Sequence, residues 1–397
     1  MSKLPWLTII GIGEDGVEGL SASSQAALTA AEIIMGPSRH LSMLTDGSAR
    51  RITWPVPFSE GLPILQDLRG QRVVVLASGD PFWFGAGSVI ARAFDAQEWL
   101  ALPGPSCFSL VAARMGWPLE QTACLGLHAA PMARLKRHLA PGTRMIATLR
   151  DGDAVAELLE YLAAQGFEDS LVTIWERLGG PLERRVQGRA NALEGDFAHP
   201  VCAAVEVSGI GTVLSVATGL PDNTFESDGQ MTKRLARAIT LSSLGPLPGQ
   251  HLWDIGGGSG SISLEWLLAH PTTRASAIEP RPDRADRIIQ NAEVLGVEDR
   301  IKVIEGIAPD CLQGLAAPDA IFVGGGMSGA LMEAVTAIAG IRVVANAVTL
   351  EGEMLLSQWH DRLGGDLLRI ALSSPVPLGS KRGWGAAYPV VQWSIVT

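Results

Sequence analysis

Four cysteines in 397 residues set the first limit on what this chain can be. Cys107, Cys124, Cys202 and Cys311 stand far apart, with no CxxC pair and no histidine at zinc-ligand spacing. Neither a disulfide scaffold nor a metal site organises such a chain, and we expect no metal. Long apolar runs are missing too. Stretches such as Val73–Ala77 are soon broken by Gly, Asp or Arg, far short of the roughly 18 apolar residues that cross a bilayer. Met1 to Leu7 carries one lysine and then Pro5, without the charged-then-apolar order of a secretory leader. These absences predict a cytoplasmic chain with no membrane partner. Positive charge is also scarce: 31 Lys and Arg face 41 Asp and Glu, a net charge of −10. A nucleic-acid surface needs a dense basic stripe, so we expect no nucleic-acid partner. An anionic small molecule remains open, because a few local cations suffice to bind it.

What the chain does have is apolar bulk (47% hydrophobic) and 45 glycines. Its length suggests two or three domains. Strand and helix signals alternate regularly, with no heptads or short repeats, and change character near residue 210. We expect a first domain over 1–207, a linker over 208–220 rich in Ser and Gly, and a second domain over 221–397. Met231 onward, with Leu235, Ala238 and Ile239 at helical spacing, predicts the first helix of that second domain.

The first half opens with a short apolar strand, Leu7–Ile10, running into Gly11-Ile12-Gly13-Glu14-Asp15-Gly16. This is formally GxGxxG. A dinucleotide fingerprint would also need the third glycine to open a helix and an acid to end the next strand. The next helix signal starts only near Ala22, and the next strand ends Ile33-Ile34-Met35-Gly36 without an acid. Two further glycine turns follow strands, at Ser78-Gly79-Asp80-Pro81 and at Pro103-Gly104-Pro105-Ser106, the second just before the apolar helix Phe108–Met115. Turns of this kind bring bare backbone close to a ligand at strand carboxyl ends. Three ordinary loops are the alternative.

The order and content of these turns resemble the tetrapyrrole methylase family over the first half. The match includes Leu20-Ser21, Gly36, Leu127-His128 and Trp175-Glu176-Arg177-Leu178-Gly179. The resemblance implies two α/β subdomains with S-adenosylmethionine (SAM) folded between them. It places Ser78, Gly79, Asp80, Trp83, Ser106 and Cys107 at cofactor-contacting positions. Glu14 departs from the family pattern, where proline is frequent. His128 is a candidate for substrate contact, or a hydrogen-bonded loop or core histidine.

The second half carries a cofactor signal that chemistry alone can argue. His251–Ile255 reads as a strand, Gly256-Gly257-Gly258-Ser259-Gly260 as a turn and Ser261–Ala269 as a helix. The glycines let the turn approach a ligand, and the helix N-terminus offers unpaired N–H groups to a carboxylate. Asp254 can face an ammonium. The next strand ends at Glu279, placed to accept from ribose hydroxyls. NAD is the rival ligand for this turn, although nothing later in the chain reads as a hydride-transfer site. The D-x-G-x-G-x-G pattern of Asp254, Gly256, Gly258 and Gly260 resembles class I SAM methyltransferases. An antiparallel finish over Leu367–Leu372 and Tyr388–Ile395 fits that Rossmann-like, seven-stranded fold.

More narrowly, Gly219–Asp222 through Met231–Lys233, Glu305–Pro309 and Pro318–Gly326 resemble the decarboxylating precorrin methyltransferase family. That resemblance adds Thr232 and Ala308 to the SAM contacts Gly256, Gly257, Gly258, Ser259, Gly260 and Glu279. The pairing of the two halves resembles bifunctional methyltransferases of cobalamin biosynthesis. It implies one SAM per domain, methylation of carbon 5 of a precorrin by the first half, and methylation of carbon 15 with loss of the ring C acetate carboxyl by the second. A homo-oligomer is the family expectation. In-line attack by an electron-rich ring carbon needs mainly orientation, so we assign no catalytic acid or base. The substrate's carboxylates require cations; Lys233 and Arg382 are the candidates, the latter in a loop over Gly379–Gly383, with Trp384 beside it as a cover for the macrocycle or a packing anchor. Two other functions remain open: a methyltransferase for another small molecule or a macromolecule, and a non-catalytic SAM sensor.

Overall fold

Parallel strands buried on both faces read as unbroken apolar runs, and the chain contains several. A computed structural model describes residues 5–397; the opening residues on which the reading of a missing leader partly rests lie outside it. The chain divides into two compact units, one comprising residues up to Met132 with His138–Thr212, the other Ala133–Arg137 with Val213–Thr397. No described helix is long and apolar enough to cross a membrane.

The first unit holds two sheets. Strands β1 (Leu7–Ile12), β2 (Ile33–Gly36), β3 (Arg50–Thr53), β4 (Val73–Ser78) and β5 (Trp99–Leu102) form a wholly parallel sheet in the order β3-β2-β4-β1-β5. Its register puts Ile12 opposite Ser78 and Ile10 opposite Leu102, so the turns after β1, β4 and β5 leave the same edge side by side. Strands β6 (Thr122–Gly126), β7 (Arg144–Thr148), β8 (Leu171–Glu176), β9 (Arg184–Arg189) and β10 (Val201–Glu206) form a mixed sheet in the order β6-β7-β10-β8-β9. The helix Cys107–Met115 packs Phe108, Val111 and Ala112 against Ile146, Trp175 and Ala204 of this second sheet. The formal GxGxxG behaves as expected of a non-fingerprint: Gly16 opens a single 3-10 turn, Gly16–Gly19, and the helix begins at Ala22 under a Ser21 cap.

The second unit is built on one sheet. Strands β11 (His251–Ile255), β12 (Arg274–Glu279), β13 (Ile301–Glu305), β14 (Ala320–Val323) and β15 (Arg342–Ala347) run parallel. After β16 (Asp366–Ile370), a hairpin of β17 (Ser373–Leu378) and β18 (Lys381–Ala386) precedes β19 (Val390–Val396), which inserts antiparallel between β15 and β16. The order β13-β12-β11-β14-β15-β19-β16 reverses direction between β11 and β14. At such a switch point the crevice beyond the strand carboxyl ends is the natural ligand site.

Two local expectations change. The region Gly379–Gly383 is no loop: Lys381–Ala386 pairs with Ser373–Leu378, and Gly379 (φ +60°) sits in the turn. Pro375 and Pro377 hid the strand, since proline is tolerated only where no partner needs its N–H, as in a two-stranded ribbon. Ile370 pairs with Val390, and Val391 with Ala347 at the carboxyl end of β15. The hairpin therefore springs from the same edge as the glycine turn. The first helix of this unit starts at Arg234, three residues after the apolar spacing begins, because Lys233 is its extended N-cap (ψ 153°).

Candidate functional site

In the first unit three glycines meet. Gly79 N donates to Ile12 O and Gly104 N to Gly79 O, both at 3.0 Å. A Cβ on Gly11 would collide with Gly79 O and Gly104 N, so the turns after β1, β4 and β5 can lie this close only without side chains. A Cβ on Gly79 would stand 2.9 Å from Pro105 O and 3.2 Å from Ser106 Cα. Ser106 caps the helix that follows by accepting from Ser109 N at 3.1 Å, and Asp80 steadies its own turn by accepting from Phe82 N at 2.8 Å. Trp83 stacks on Phe108 with ring centroids 5.1 Å apart. Gly79, Asp80, Trp83, Ser106 and Cys107 are thus gathered at one edge.

Two of the expected side chains are otherwise engaged. The Ser78 hydroxyl lies 3.2 Å from His40 Nε2 and accepts from Arg39 Nη2 at 3.2 Å. Cys107 packs against the cluster of Trp175 and Cys202, where burial pushes its thiol up to about 11. Ser78 stays exposed beside these partners, and Cys107 is half-buried. His40 and Arg39 were not legible as site residues. Arg39 pairs with Glu14, the residue that departs from the family pattern, and donates to the buried His40 at 2.9 Å. Burial, then the Arg39 charge, hold His40 down to about 4 against a smaller pull from the Leu76 backbone. His128 lies 3.2 Å from Thr148 Oγ1 and lines a 320 Å³ cavity with Arg150 and Glu157.

In the second unit the turn after β11 folds back over β12. Gly256 N and Gly257 N both donate to Ile278 O, at 2.9 and 3.0 Å. Glu279 accepts from Gly258 N at 2.8 Å and from Arg281 N at 3.1 Å, which fixes its carboxylate beneath the turn. A Cβ on Gly256 would stand 2.6 Å from Gly325 N, so the glycines after β14 pack directly on this turn. Ala308 lies buried in the loop after β13, two residues beyond Gly306, whose N–H donates to the Glu279 carbonyl at 3.3 Å. Helix Ser261–Ala269 begins at Gly260 (φ +76°) without a side-chain cap.

Asp254 is wholly buried. Its Oδ2 accepts from Ser263 N at 3.1 Å and from Ser263 Oγ at 2.5 Å, while Oδ1 has no partner. Burial raises its pKa to about 6, the Ser263 bonds pull it down, and the Glu279 charge adds to the rise. Ser259 Oγ, also buried, likewise lacks a partner. Buried polar atoms are rarely left so. An unpartnered carboxylate oxygen on Asp254, an uncapped helix N-terminus with Ser259 and the Glu279 carboxylate are the groups that an ammonium, a carboxylate and ribose hydroxyls would require. The residues present fit SAM.

Of the remaining candidates, Thr232 is held through its carbonyl, which accepts from Arg237 Nη1 at 2.6 Å. Lys233 donates to Gly229 O at 3.2 Å. Arg382 is exposed on β18 opposite Pro377, two residues from Trp384, which is 78% exposed. Glu265, on the helix after the glycine turn, forms a buried pair with Arg237 at 2.6 Å.

Residues 6–194 match the family model of tetrapyrrole (corrin/porphyrin) methylases, and residues 223–397 match that of a precorrin methyltransferase domain. The chain is 45% identical over 399 residues to a precorrin-6Y C(5,15)-methyltransferase [decarboxylating] of Sinorhizobium sp, covering 98% of this chain and 96% of that one. It is 38% identical over 397 residues to a protein of the same name from Mycobacterium tuberculosis, with 98% and 99% covered. A solved C-terminal domain of precorrin-6Y C5,15-methyltransferase from Rhodobacter capsulatus is 49% identical, with a TM-score of 0.44, over 46% of this chain and 98% of that one. Matched from end to end in this way, the chain belongs to the precorrin-6Y C(5,15)-methyltransferase (decarboxylating) family.

Proposed function

We propose that each unit binds its own SAM, that the first methylates carbon 5 of a precorrin, and that the second methylates carbon 15 and removes the ring C acetate carboxyl as carbon dioxide. The observation that carries the second site is the buried Asp254 carboxylate with one free oxygen beside a glycine turn. The three interlocked glycine turns argue for the first.

SAM supplies an electrophilic methyl on its sulfonium. The protein's part is to hold donor and acceptor in line, where orientation can contribute most of the acceleration. In the second unit Asp254 takes the ammonium, the N–H groups of Ser261 and Ile262 take the carboxylate, and Glu279 takes the ribose. In the first unit the backbone of the Gly79 and Ser106 turns, with Asp80 and Trp83, forms the corresponding cradle. Cys107 contributes backbone, and Ser78 orients Arg39.

Substrate recognition in the second unit falls to the hairpin and the strand ends. Arg382 and Trp384 share one face of β18 on the ligand-bearing edge, a cation for a ring carboxylate and a ring to lie against the macrocycle. Val348, Leu350 and Met354, all exposed just beyond β15, give that edge an apolar wall. Decarboxylation is favoured where the departing carboxylate is desolvated and the conjugated ring can accept its electrons. Lys233 serves a second carboxylate by exchanging its bond to Gly229 O.

The chain acts in the cytoplasm, as a homo-oligomer, without nucleic acid. Titration calorimetry of the full chain with SAM is the test of the two-site reading: two SAM per chain are expected, and one would remove a site.

A further inference from the structure

Residues 219–233 of the second unit contain little regular structure, a single 3-10 turn at Asp222–Thr224, yet they are fastened at three places. At the start, Gly219 N and Leu220 N donate to the Glu265 carboxylate at 2.6 and 3.0 Å, and Arg237 Nε donates to it at 2.6 Å. The fully buried Arg237 also donates to Leu220 O (2.5 Å), Asp222 (3.1 Å) and Thr232 O (2.6 Å), and lies 4.9 Å over the Phe225 ring. In the middle, the buried Asn291 side chain accepts from Glu226 N at 2.8 Å and donates to Glu226 O and to Ser259 O of the glycine turn, both at 2.9 Å. Near the end, Arg284 donates to Asp228 at 2.8 Å and to Gln230 Oε1 at 2.6 Å. Between these points the Gln230 carbonyl oxygen comes within 3.7 Å of the place a Cβ on Gly258 would occupy.

We propose that residues 225–233 form a strap across the cofactor of the second unit, and that Arg284 is a positioning residue that holds the Gln230 carbonyl against the glycine turn. This rests on SAM binding between Asp254 and Glu279. The fastenings differ in kind. The Glu265–Arg237 knot excludes water, and breaking it leaves the buried Arg237 with only the part-exposed Asp222 as anionic partner. Arg284 and Asp228 meet at the rim, with 15% and 26% of their side chains exposed, where ion pairs hold more weakly. The strap therefore opens at the Arg284 end and turns about the buried end. Asp228 is shaped for this latch: the Gln230 N–H, then Arg284, keep its carboxyl below the usual range. When the latch is closed, the Gln230 carbonyl beside the glycine turn offers the cofactor a second acceptor besides Asp254. Releasing the latch removes the second acceptor and frees the exit, while methyl transfer within an occupied site proceeds as before.

The test uses the full chain as wild type, Arg284→Ala and Asp228→Asn, with Arg362→Ala as control, since Arg362 makes a comparable surface pair with Glu333 at 2.7 Å. Carbon dioxide release gives the KM for SAM and kcat of the second site, and hydrogen exchange follows residues 225–232 and 255–260 with and without SAM. The expected result is that SAM slows exchange in both segments of the wild type. Both latch variants then raise KM about tenfold, the loss of one charge-assisted hydrogen bond, with kcat within about twofold, and speed exchange in 225–232; the control changes nothing. Slowed exchange at 255–260 alone, or unchanged KM in both latch variants, overturns the strap and leaves the cofactor site standing. Unchanged exchange at 255–260 overturns the cofactor reading and the strap with it.

Discussion

Replacing Asp254 by Asn should move stability and binding in opposite directions. The Asp254 carboxyl is fully buried, and its pKa stands at about 6 against an ordinary 3.8. A folded-state pKa above the unfolded value means that the fold binds this proton more tightly than the unfolded chain does. The fold therefore loses stability as pH rises, from none below about pH 4 to the full amount above about pH 6. A difference of about two units corresponds to about 3 kcal/mol at pH 8. Asn keeps an acceptor for Ser263 N and Oγ and never carries the charge. At pH 8 the variant should be more stable by up to about 3 kcal/mol, and at pH 4 the advantage should vanish. SAM affinity should fall at least about a hundredfold, because its ammonium then faces an amide in a buried site. Hydrogen exchange of the peptide containing Trp253–Ile255 in increasing urea reads the local stability, and calorimetry reads the affinity. A variant less stable at pH 8, with SAM affinity intact, would refute the reasoning and make Asp254 a structural residue.

Glu265→Gln leaves the buried Arg237 with only the part-exposed Asp222 as anionic partner and should lower the stability of the second unit by about 3 kcal/mol, read by urea unfolding; a change below about 1 kcal/mol would contradict the pairing. His40, held down to about 4, is neutral when folded but protonates below about 6.5 once unfolded. The first unit should thus lose up to about 3 kcal/mol between pH 6.5 and 4, and His40→Gln should flatten that slope in unfolding curves taken across the range. Trp384→Ala removes an exposed ring and should leave melting unchanged while raising the KM for precorrin about tenfold and sparing that for SAM. An unchanged precorrin KM would take the hairpin out of substrate binding.

The second unit was legible where its chemistry is local. Asp254, the glycine turn and the helix after it are consecutive, and Glu279 follows one strand later, so strand, turn and acid could be read in order. The partners that hold this site in place are distant in sequence. Glu265 and Arg237 are 28 residues apart, and Asn291 and Glu226 are 65 apart, so no local pattern announces them. In the first unit the glycine turns were visible, but the direction of each side chain was not. Cys107 faces the core because the second sheet packs on its helix, and Ser78 turns to His40 because the parallel order brings β2 beside β4. The hairpin stayed hidden because its prolines argue against strands wherever a third strand must pair.

Glycine substitutions can separate the two units within the intact chain. A Cβ on Gly11 strikes the neighbouring turns of the first site, and one on Gly260 (φ +76°) meets Ile288 Cγ2 at 2.9 Å beside the second. Precorrin-6Y and methyl-labelled SAM, with product mass and carbon dioxide measured together, should give two labelled methyls and one carbon dioxide per ring for the wild type. Gly11→Ala should lose the carbon 5 methyl and keep carbon dioxide release, and Gly260→Val should lose the carbon 15 methyl together with carbon dioxide release. Both methyls still arriving in either variant, or carbon dioxide release following Gly11 in place of Gly260, would contradict the division of labour.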